Sequence, residues 1–185
     1  MKMFCLTVFF YISIVSSYAR DNLKQYVPSG ATSMPIAQEM KYFSESQLRS
    51  WIQKNVAGII EHYDEYGAKE TIDLINNGAF SVGNIYPLLL EANIFGVILA
   101  HGLLDEEGSG YDGLSVGTAN DSFMDINDVR IVIKILERTR REAGGFWVDY
   151  PWENPATDTV ETRKIWVIVH HGRIFASGYS SPVSD

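Results

Sequence analysis

Three runs of β-branched and aromatic residues follow one another at the C-terminal end of this chain. They extend from Phe146 to Trp152, from Arg163 to His170 and from Arg173 to Tyr179. Only His171 and Gly172 separate the last two runs, and a break of two residues predicts a tight β-hairpin turn. This part of the chain is therefore expected to form antiparallel strands of one sheet, which restricts the fold to classes that cover a sheet with other elements.

Two amphipathic helices are predicted before any strand. Ser44 and Gln47 have the spacing of a capping box, in which each side chain satisfies an amide hydrogen of the first helical turn. Apolar residues then recur at helical spacing for about six turns, until Gly67 ends the pattern. Residues 68–76 are predicted to form a second, shorter helix.

The next segment contains two short apolar runs, Ile85 to Leu90 and Ile94 to Ala100, which predict a β-hairpin. Pro87 has no amide hydrogen to donate to a neighbouring strand, so the first run is expected at a sheet edge or to begin late. Residues 102–122 are rich in glycine and are expected to form a long loop.

A third helix is expected to begin at Asp125 or Asn127 and to end before Gly144 and Gly145. The order of elements is thus two helices, two strands, a loop, a helix and three strands. Strands gathered in one antiparallel sheet, with the helices packed against it, make an α+β domain. The sequence therefore predicts an α+β fold for residues 44–185.

The N-terminus has the pattern of a secretory signal peptide. Lys2 supplies a positive charge, residues 4–15 are apolar or hydroxylated, and Ser17 and Ala19 are small residues at the positions that signal peptidase reads. Cleavage after Ala19 is expected, and the protein is predicted to be periplasmic or secreted. An uncleaved membrane anchor is the alternative, although the apolar run is shorter than the ~20 residues of a spanning helix.

Residues 1–19 are therefore assigned to the signal peptide, and residues 20–43, with little apolar periodicity, to a flexible leader. Residues 44–185 are predicted to form one domain. The net charge of −8 argues against nucleic acid as a partner, because the two surfaces would repel each other. Cys5 is the only cysteine and lies in the predicted signal peptide, so no disulfide is expected.

Residues that could carry catalysis or hold a metal are sparse. The predicted mature chain has no cysteine nucleophile, no G-x-S-x-G motif and no phosphate-binding glycine motif between Gly108 and Gly117. His170 and His171 are adjacent at a hairpin tip, where neighbouring side chains point to opposite faces, so they are not expected to chelate one ion. The sequence predicts no enzyme, no cofactor and no metal.

One segment suggests a binding site. Residues 144–155 have the sequence GGFWVDYPWENP, and as a strand they place Phe146, Val148, Tyr150 and Trp152 on one face. Such a face suits the wall of a small-molecule pocket, because it is apolar and carries a phenol and an indole N–H as polar groups. A core strand without a ligand explains the same spacing, and both interpretations stay open at this point.

The sequence resembles the single-Cache (sCache, type 2-like) extracellular sensor domains. The likeness is carried by D-x-N-D-V-R from Asp125, by residues 144–155, by R-K-I-W-V from Arg163 and by A-S-G-Y ending at Tyr179. Residues 94–101 resemble the preceding strand of that family. The resemblance implies a PAS-like antiparallel sheet with a long N-terminal helix and flanking helices. It also implies binding of small molecules, often short organic acids, between the sheet and its flanking helix and loops.

Six ligand-binding residues are implied by the resemblance: His101, Tyr150, Trp152, Arg163, Lys164 and Trp166. The family carries a lysine three residues before an aromatic-valine pair. That pair is Trp166 and Val167 here, so Arg163 is the strict match and Lys164 lies one residue away. Both cations stay candidates for the contact with a ligand carboxylate.

The residues and the resemblance together predict an extracytoplasmic small-molecule-binding module that acts as a sensor or accessory signalling input. The family usually continues into a membrane helix, whereas this chain ends at Asp185 soon after the closing strand, so a free-standing module is expected. Its signal would pass through a homodimer or through a separately encoded membrane signalling protein. A structural or protein-interaction domain without a ligand is the alternative, and a hydrolytic enzyme is less favoured.

Overall fold

The computed structural model describes residues 43–104, 110, 114–119, 124–142, 144–154 and 158–182. The predicted signal peptide and residues 20–42 of the predicted leader lie outside these residues, as do parts of the predicted loop at 102–122. Within the described residues, no helix is both long enough and apolar enough to cross a membrane.

Three helices and five strands are present in the described residues, and each corresponds to an element that the sequence predicts. The helices are α1 (Glu45–Tyr66), α2 (Ala68–Asn76) and α3 (Ile131–Thr139). The strands are β1 (Tyr86–Glu91), β2 (Ile98–His101), β3 (Phe146–Asn154), β4 (Thr159–His170) and β5 (Arg173–Pro182).

The five described strands form one antiparallel sheet in the order β2-β1-β5-β4-β3. The turn between β4 and β5 is formed by His171 and Gly172, as predicted, and both have the positive φ (47° and 72°) that a two-residue hairpin requires. β5 then pairs with β1 along its other side, so the last strand of the chain lies in the middle of the sheet. The predicted α+β class and PAS-like sheet are confirmed.

Helices α1 and α2 cover one face of the sheet, here called the α1 face. The predicted capping box is present, since Gln47 N donates to Ser44 Oγ at 3.3 Å and Ser44 N donates to Gln47 Oε1 at 2.9 Å. Gly67 ends α1, also as predicted. Burial of large apolar side chains, worth about 1.5–3 kcal/mol each, holds the helices on the sheet. The buried residues of this layer include Val56, Ile59, Leu74, Ile75, Leu89, Ala100 and Phe175.

Helix α3 packs on the opposite face, here called the α3 face. The predicted alternation in β3 is confirmed, because Phe146, Val148 and Tyr150 are all buried there. The other buried residues of this layer include Ile131, Val132, Ile135, Tyr86, Leu88, Leu90, Ile165 and Val167. Each strand therefore contributes alternate side chains to two separate cores.

The predicted β1–β2 hairpin exists, but β2 begins later than the sequence predicts. Ile94 and Phe95 lie in the turn, where their side chains are 65% and 63% exposed. Asn93 Oδ1 accepts hydrogen bonds from the amides of Phe95 and Gly96 at 2.9 and 3.0 Å. The prediction is wrong at this end because an asparagine side chain that closes a turn outweighs the strand preference of two apolar residues.

β1 is not the edge strand that Pro87 predicts, because β2 and β5 flank it. β2 ends at His101, which pairs with Leu88. Pro87 therefore lies beyond the end of β2, where a missing amide hydrogen breaks no ladder bond. The Pro87 carbonyl accepts a hydrogen bond from Gly102 N at 2.9 Å. β1 therefore starts late, as predicted, only in its pairing with β2, which begins at Leu88, whereas its pairing with β5 begins at Tyr86.

α3 also begins later than predicted, at Ile131. Asp125 Oδ1 accepts hydrogen bonds from the amides of Asn127 and Val129 at 2.8 and 3.0 Å. This carboxylate closes a turn instead of capping the helix. Asp128 within the turn has a φ of 58°, a left-handed conformation that a right-handed helix does not contain.

His62 is a buried histidine between α1 and α2. Its Nδ1 lies 3.0 Å from Thr71 Oγ1, and the Thr71 hydroxyl donates to Gly67 O at 3.0 Å. Because the hydroxyl hydrogen is used in that bond, His62 Nδ1–H is the donor to Thr71. Burial lowers the pKa of His62 below its ordinary value near 6.5, and the charges of Glu70 and Glu65 oppose this shift.

The unfolding free energy is therefore expected to fall as the pH is lowered from neutrality to about 5. Unfolded His62 binds a proton near pH 6.5, whereas folded His62 binds one at lower pH, so acid favours the unfolded chain. For one proton, the unfolding free energy changes by at most about 1.4 kcal/mol per pH unit. Denaturant titrations should show a weaker pH dependence of the unfolding free energy in His62→Gln than in the parent. An unchanged dependence in His62→Gln would contradict this assignment.

Candidate functional site

β4 carries both predicted cations, and its geometry places them on opposite faces of the sheet. Arg163 pairs with Tyr150 of β3 and with Ser180 of β5. Tyr150 belongs to the α3 face, so Arg163 lies on that face too. Lys164 points to the α1 face, because successive side chains of a strand alternate.

Arg163 is a buried cation, 5% exposed. Its guanidinium carbon lies 4.7 Å from the ring centroid of Tyr86 and 5.8 Å from a ring centroid of Trp152. Its Nη1 donates a hydrogen bond to Ser180 Oγ at 3.3 Å. No carboxylate of the described residues forms an ion pair with Arg163. Glu161, two positions earlier on the same face, accepts a hydrogen bond from an asparagine side chain.

The burial of Arg163 is costly, and its described contacts supply no opposite charge. Taking a cation out of water costs several kcal/mol even after the protein relaxes. Contact with an aromatic ring returns about 0.5–2 kcal/mol. A guanidinium also has several N–H donors, and Ser180 Oγ is the one hydrogen-bond acceptor that Arg163 has among the described residues. The arrangement suits an anion that brings both a charge and further acceptors.

Tyr86 connects Arg163 to His101. The fully buried imidazole of His101 stacks on the Tyr86 ring, with centroids 4.8 Å apart and planes at 26°. Leu103 N donates to His101 Nδ1 at 3.0 Å. Nδ1 is therefore the acceptor nitrogen, and the proton of the neutral ring is on Nε2. His101 pairs with Leu88 of β1, which places the imidazole on the α3 face.

Tyr150 and Trp152 lie on the same face. Tyr150 is buried directly opposite Arg163, and Trp152 is partly buried against the same core. Their rings offer a phenol and an indole N–H beside apolar surface. The structure thus brings four of the predicted site residues, His101, Tyr150, Trp152 and Arg163, to the α3 face.

Known structures share this arrangement of helices and sheet. A Cache chemosensory domain that recognises carboxylic acids has a TM-score of 0.56 to this chain at 16% identity, over 77% of this chain and 97% of that domain. This chain has a Cache-type fold. A periplasmic sensor domain of a chemotaxis protein has a TM-score of 0.54 at 16% identity, over 74% and 94% of the two chains. For a methyl-accepting chemotaxis protein from Vibrio parahaemolyticus the TM-score is 0.52 at 12% identity, over 78% and 93%.

No protein-family model matches the sequence, and no curated protein matches it either. At the identities found with the solved structures, the similarity shows the Cache-type fold alone. The chemistry of the site therefore has to be argued from its own residues.

Lys164 and Trp166 lie on the α1 face of the Cache-type sheet, away from Arg163. Lys164 Nζ lies 3.0 Å from Glu45 Oε1, and the Tyr179 hydroxyl donates to the same oxygen at 2.9 Å. The hydrogen bond from Lys164 is the main cause that lowers the pKa of Glu45, and the bond from Tyr179 is the next. Trp166 packs beside Trp147, with ring centroids 5.7 Å apart. Lys164 thus fastens the sheet to the start of α1, and Trp166 packs against the buried cluster that includes Ile52 of α1.

Two residues around Arg163, Tyr86 and Ser180, are absent from the sequence predictions. Tyr86 belongs to a strand that is buried on both faces, so its sequence has no alternation that would assign Tyr86 to one face. Ser180 lies one residue beyond the predicted end of the last strand. Strand pairing in three dimensions brings both residues to the guanidinium, and no local sequence signal indicates it.

Proposed function

We propose that this protein is an extracytoplasmic single-Cache sensor domain that binds a short organic acid. The observation that carries the proposal is the buried guanidinium of Arg163, which has no carboxylate partner among the described residues. A ligand carboxylate would neutralise this charge inside the protein, where charge pairing is stronger than in water. The carboxylic-acid-binding Cache domain of the same fold supports this class of ligand.

The ligand carboxylate pairs with Arg163 in a bidentate manner, because a planar guanidinium presents two parallel N–H donors to one carboxylate. His101 and Tyr150 lie on the same face of the sheet as Arg163 and form the wall beside the ligand. Trp152 packs against its carbon chain. These roles select a small anion with a short apolar part, and they amount to binding without a catalytic step.

Ligand binding is transmitted through α1. β4 carries Arg163 toward the ligand and Lys164 toward Glu45 in the first turn of α1. A displacement of β4 on binding therefore changes the contact that holds the start of this helix. The output passes to a second copy of the chain or to a separately encoded membrane signalling protein.

The location outside the cytoplasm rests on the signal-peptide pattern of residues 1–19, with cleavage after Ala19. The periplasmic sensor domain with the same fold supports this location. A periplasmic or secreted domain meets organic acids before they enter the cell, which is the position that a sensor of external nutrients needs.

Calorimetric titration with matched acids and amides tests the ligand class. Acetate, propionate, lactate and succinate are compared with their primary amides, which keep the shape and lose the charge. At least one acid is expected to bind, and its amide is expected to bind at least about tenfold more weakly, because the charge-assisted bond to Arg163 is lost. An acid at about 100-fold its dissociation constant adds ~2.7 kcal/mol to the unfolding free energy, so the thermal midpoint should rise.

Two results would contradict the proposal in different ways. Equal affinity for an acid and its amide would exclude the ion pair with Arg163 and leave a binding module of another specificity. Failure of the whole acid panel to bind or to raise the thermal midpoint would exclude the organic-acid ligand. That second result would favour a protein-interaction domain with a filled core.

A further inference from the structure

Three side chains of types that can ligate a metal, Asp64, His170 and His171, converge where the β4–β5 hairpin meets the end of α1. His170 Nε2 lies 2.8 Å from Asp64 Oδ1, and His171 Nε2 lies 3.8 Å from the same oxygen. All three ligand atoms lie within 4.8 Å of one another. Among the described residues, no other side chain forms a hydrogen bond with any of the three.

The sequence predicts that the side chains of His170 and His171 point to opposite faces. This convergence shows that the prediction is wrong. His171 leaves the strand conformation with a φ of 47°, and its ring centroid lies 4.0 Å from that of His170. The alternation of side chains applies within a strand, whereas His171 is the first residue of the turn. Asp64, which lies far away in the sequence, then approaches both rings from α1.

The ligands are partly preorganised. The rings of Tyr63 and Phe175 lie edge-on to His170, with centroids 6.5 and 6.2 Å away, and 28% of the His170 side chain is exposed. Asp64 is held by the last turn of a long helix. Fewer side-chain rotations have to be lost on binding, which favours affinity. His171 is 68% exposed, so an ion has access from solvent.

The surrounding charges favour a cation. The last turn of α1 contains no basic residue, so the partial negative charge of this helix end is not neutralised there. Glu61 and Glu65 lie on the same two turns as Asp64. Arg173, opposite His170 in β5, is a nearby positive group, and its guanidinium donates to a backbone carbonyl.

We propose that Asp64, His170 and His171 bind Zn²⁺ or a divalent transition ion of similar preference. Two imidazole nitrogens and one carboxylate oxygen are ligands that Zn²⁺ prefers. Neighbouring ligand atoms of a tetrahedral zinc site lie about 3.3 Å apart. The separations of 2.8 and 3.8 Å therefore need to change by about half an ångström each. The ion fastens the β4–β5 hairpin to α1 and keeps one position open.

This metal site is separate from the site around Arg163. Both lie on β4, but His170 is seven residues further along, which is ~23 Å of extended strand. His170 also faces α1, whereas Arg163 faces α3. Zinc binding and organic-acid binding can therefore be tested, and can fail, independently of each other.

Titration of the protein with ZnCl₂ alone tests the proposal, with calorimetry and the thermal midpoint as readouts. One Zn²⁺ per chain is expected to bind the parent and to raise its midpoint. His171→Asn is the sharpest variant, because asparagine tolerates left-handed backbone and the position is exposed. Loss of a group that only hydrogen-bonds to a metal ligand already costs about 10- to 100-fold in metal affinity. His171→Asn and Asp64→Asn are each expected to weaken Zn²⁺ binding by at least about 100-fold.

Asp73→Asn is the matched control, because Asp73 is an exposed aspartate near the end of α2. It should bind Zn²⁺ as the parent does. The proposal is overturned if the parent binds no Zn²⁺, or if His171→Asn and Asp64→Asn bind it as tightly as the parent. Lower stability of Asp64→Asn with unchanged zinc affinity would also overturn it, since the contact to His170 would then be a hydrogen bond and nothing more.

Discussion

Replacing Arg163 with methionine is expected to abolish organic-acid binding at concentrations that saturate the parent. The substitution leaves the ligand carboxylate desolvated without its counter-ion. Removing one partner of a buried, hydrogen-bonded charge pair costs about 2–5 kcal/mol of binding free energy. This corresponds to a loss of roughly 30- to 5,000-fold in affinity. Calorimetry with the acid that binds the parent best measures the loss.

The stability of the protein without ligand should change in the opposite direction. In the parent without ligand, Arg163 is a buried cation whose described contacts are Ser180 and the rings of Tyr86 and Trp152. Replacing buried ionic groups with apolar side chains of similar volume is often neutral or stabilising by about 1–4 kcal/mol. A methionine sulfur also packs well against aromatic rings. Denaturant titration should give an unfolding free energy at or above that of the parent, and a large loss would mean that Arg163 is structural.

Lys164→Met is the matched control for this prediction. It removes the same charge from the next residue of β4, whose side chain lies on the opposite face. It should bind the acid as the parent does and lose some stability, because it breaks the contact with Glu45. The two substitutions therefore separate binding from stability. Loss of binding in Lys164→Met with retention in Arg163→Met would move the ligand to the α1 face.

The sequence predicts most of the fold because several of its signals are decided by a few neighbouring residues. The capping box at Ser44, the end of α1 at Gly67 and the turn at His171 and Gly172 are of this kind, and the structure confirms all three. The predicted start of α3 fails for a physical reason. The carboxylate of Asp125 can cap a helix or close a turn, and the contacts of the folded chain decide between them.

The candidate site depends more on pairing than on local pattern. Spacing alone does not choose between Arg163 and Lys164, because a shift of one residue moves every side chain of a strand to the other face. The pairing of Arg163 with Tyr150, which no short stretch of sequence contains, places Arg163 on the α3 face and Lys164 on the α1 face. The contact of Tyr86 with Arg163 is even harder to predict from local sequence. Tyr86 reaches Arg163 across β5, the strand between its own β1 and β4.

Gly178→Ala is expected to be strongly destabilising. Gly178 lies in the central strand β5, paired with Tyr86 on one side and with Ile165 on the other. A Cβ here would lie 2.7 Å from the Cα of Ile165 and would also collide with the carbonyl oxygen of Lys164. These are backbone atoms of β4, so the two strands would have to separate. Overpacking usually costs about 1–3 kcal/mol when side chains can move aside, and this position should exceed that range.

Ser177→Ala, one residue earlier in β5, is the matched control. Ser177 Oγ is buried and has no hydrogen-bond partner in the described part of the chain, so its removal should leave the stability unchanged or raise it. At about 2–4 °C per kcal/mol for a protein of this length, Gly178→Ala should lower the thermal midpoint by more than about 6 °C. A decrease of less than about 1 kcal/mol in the unfolding free energy of Gly178→Ala would mean that β4 and β5 can separate at little cost.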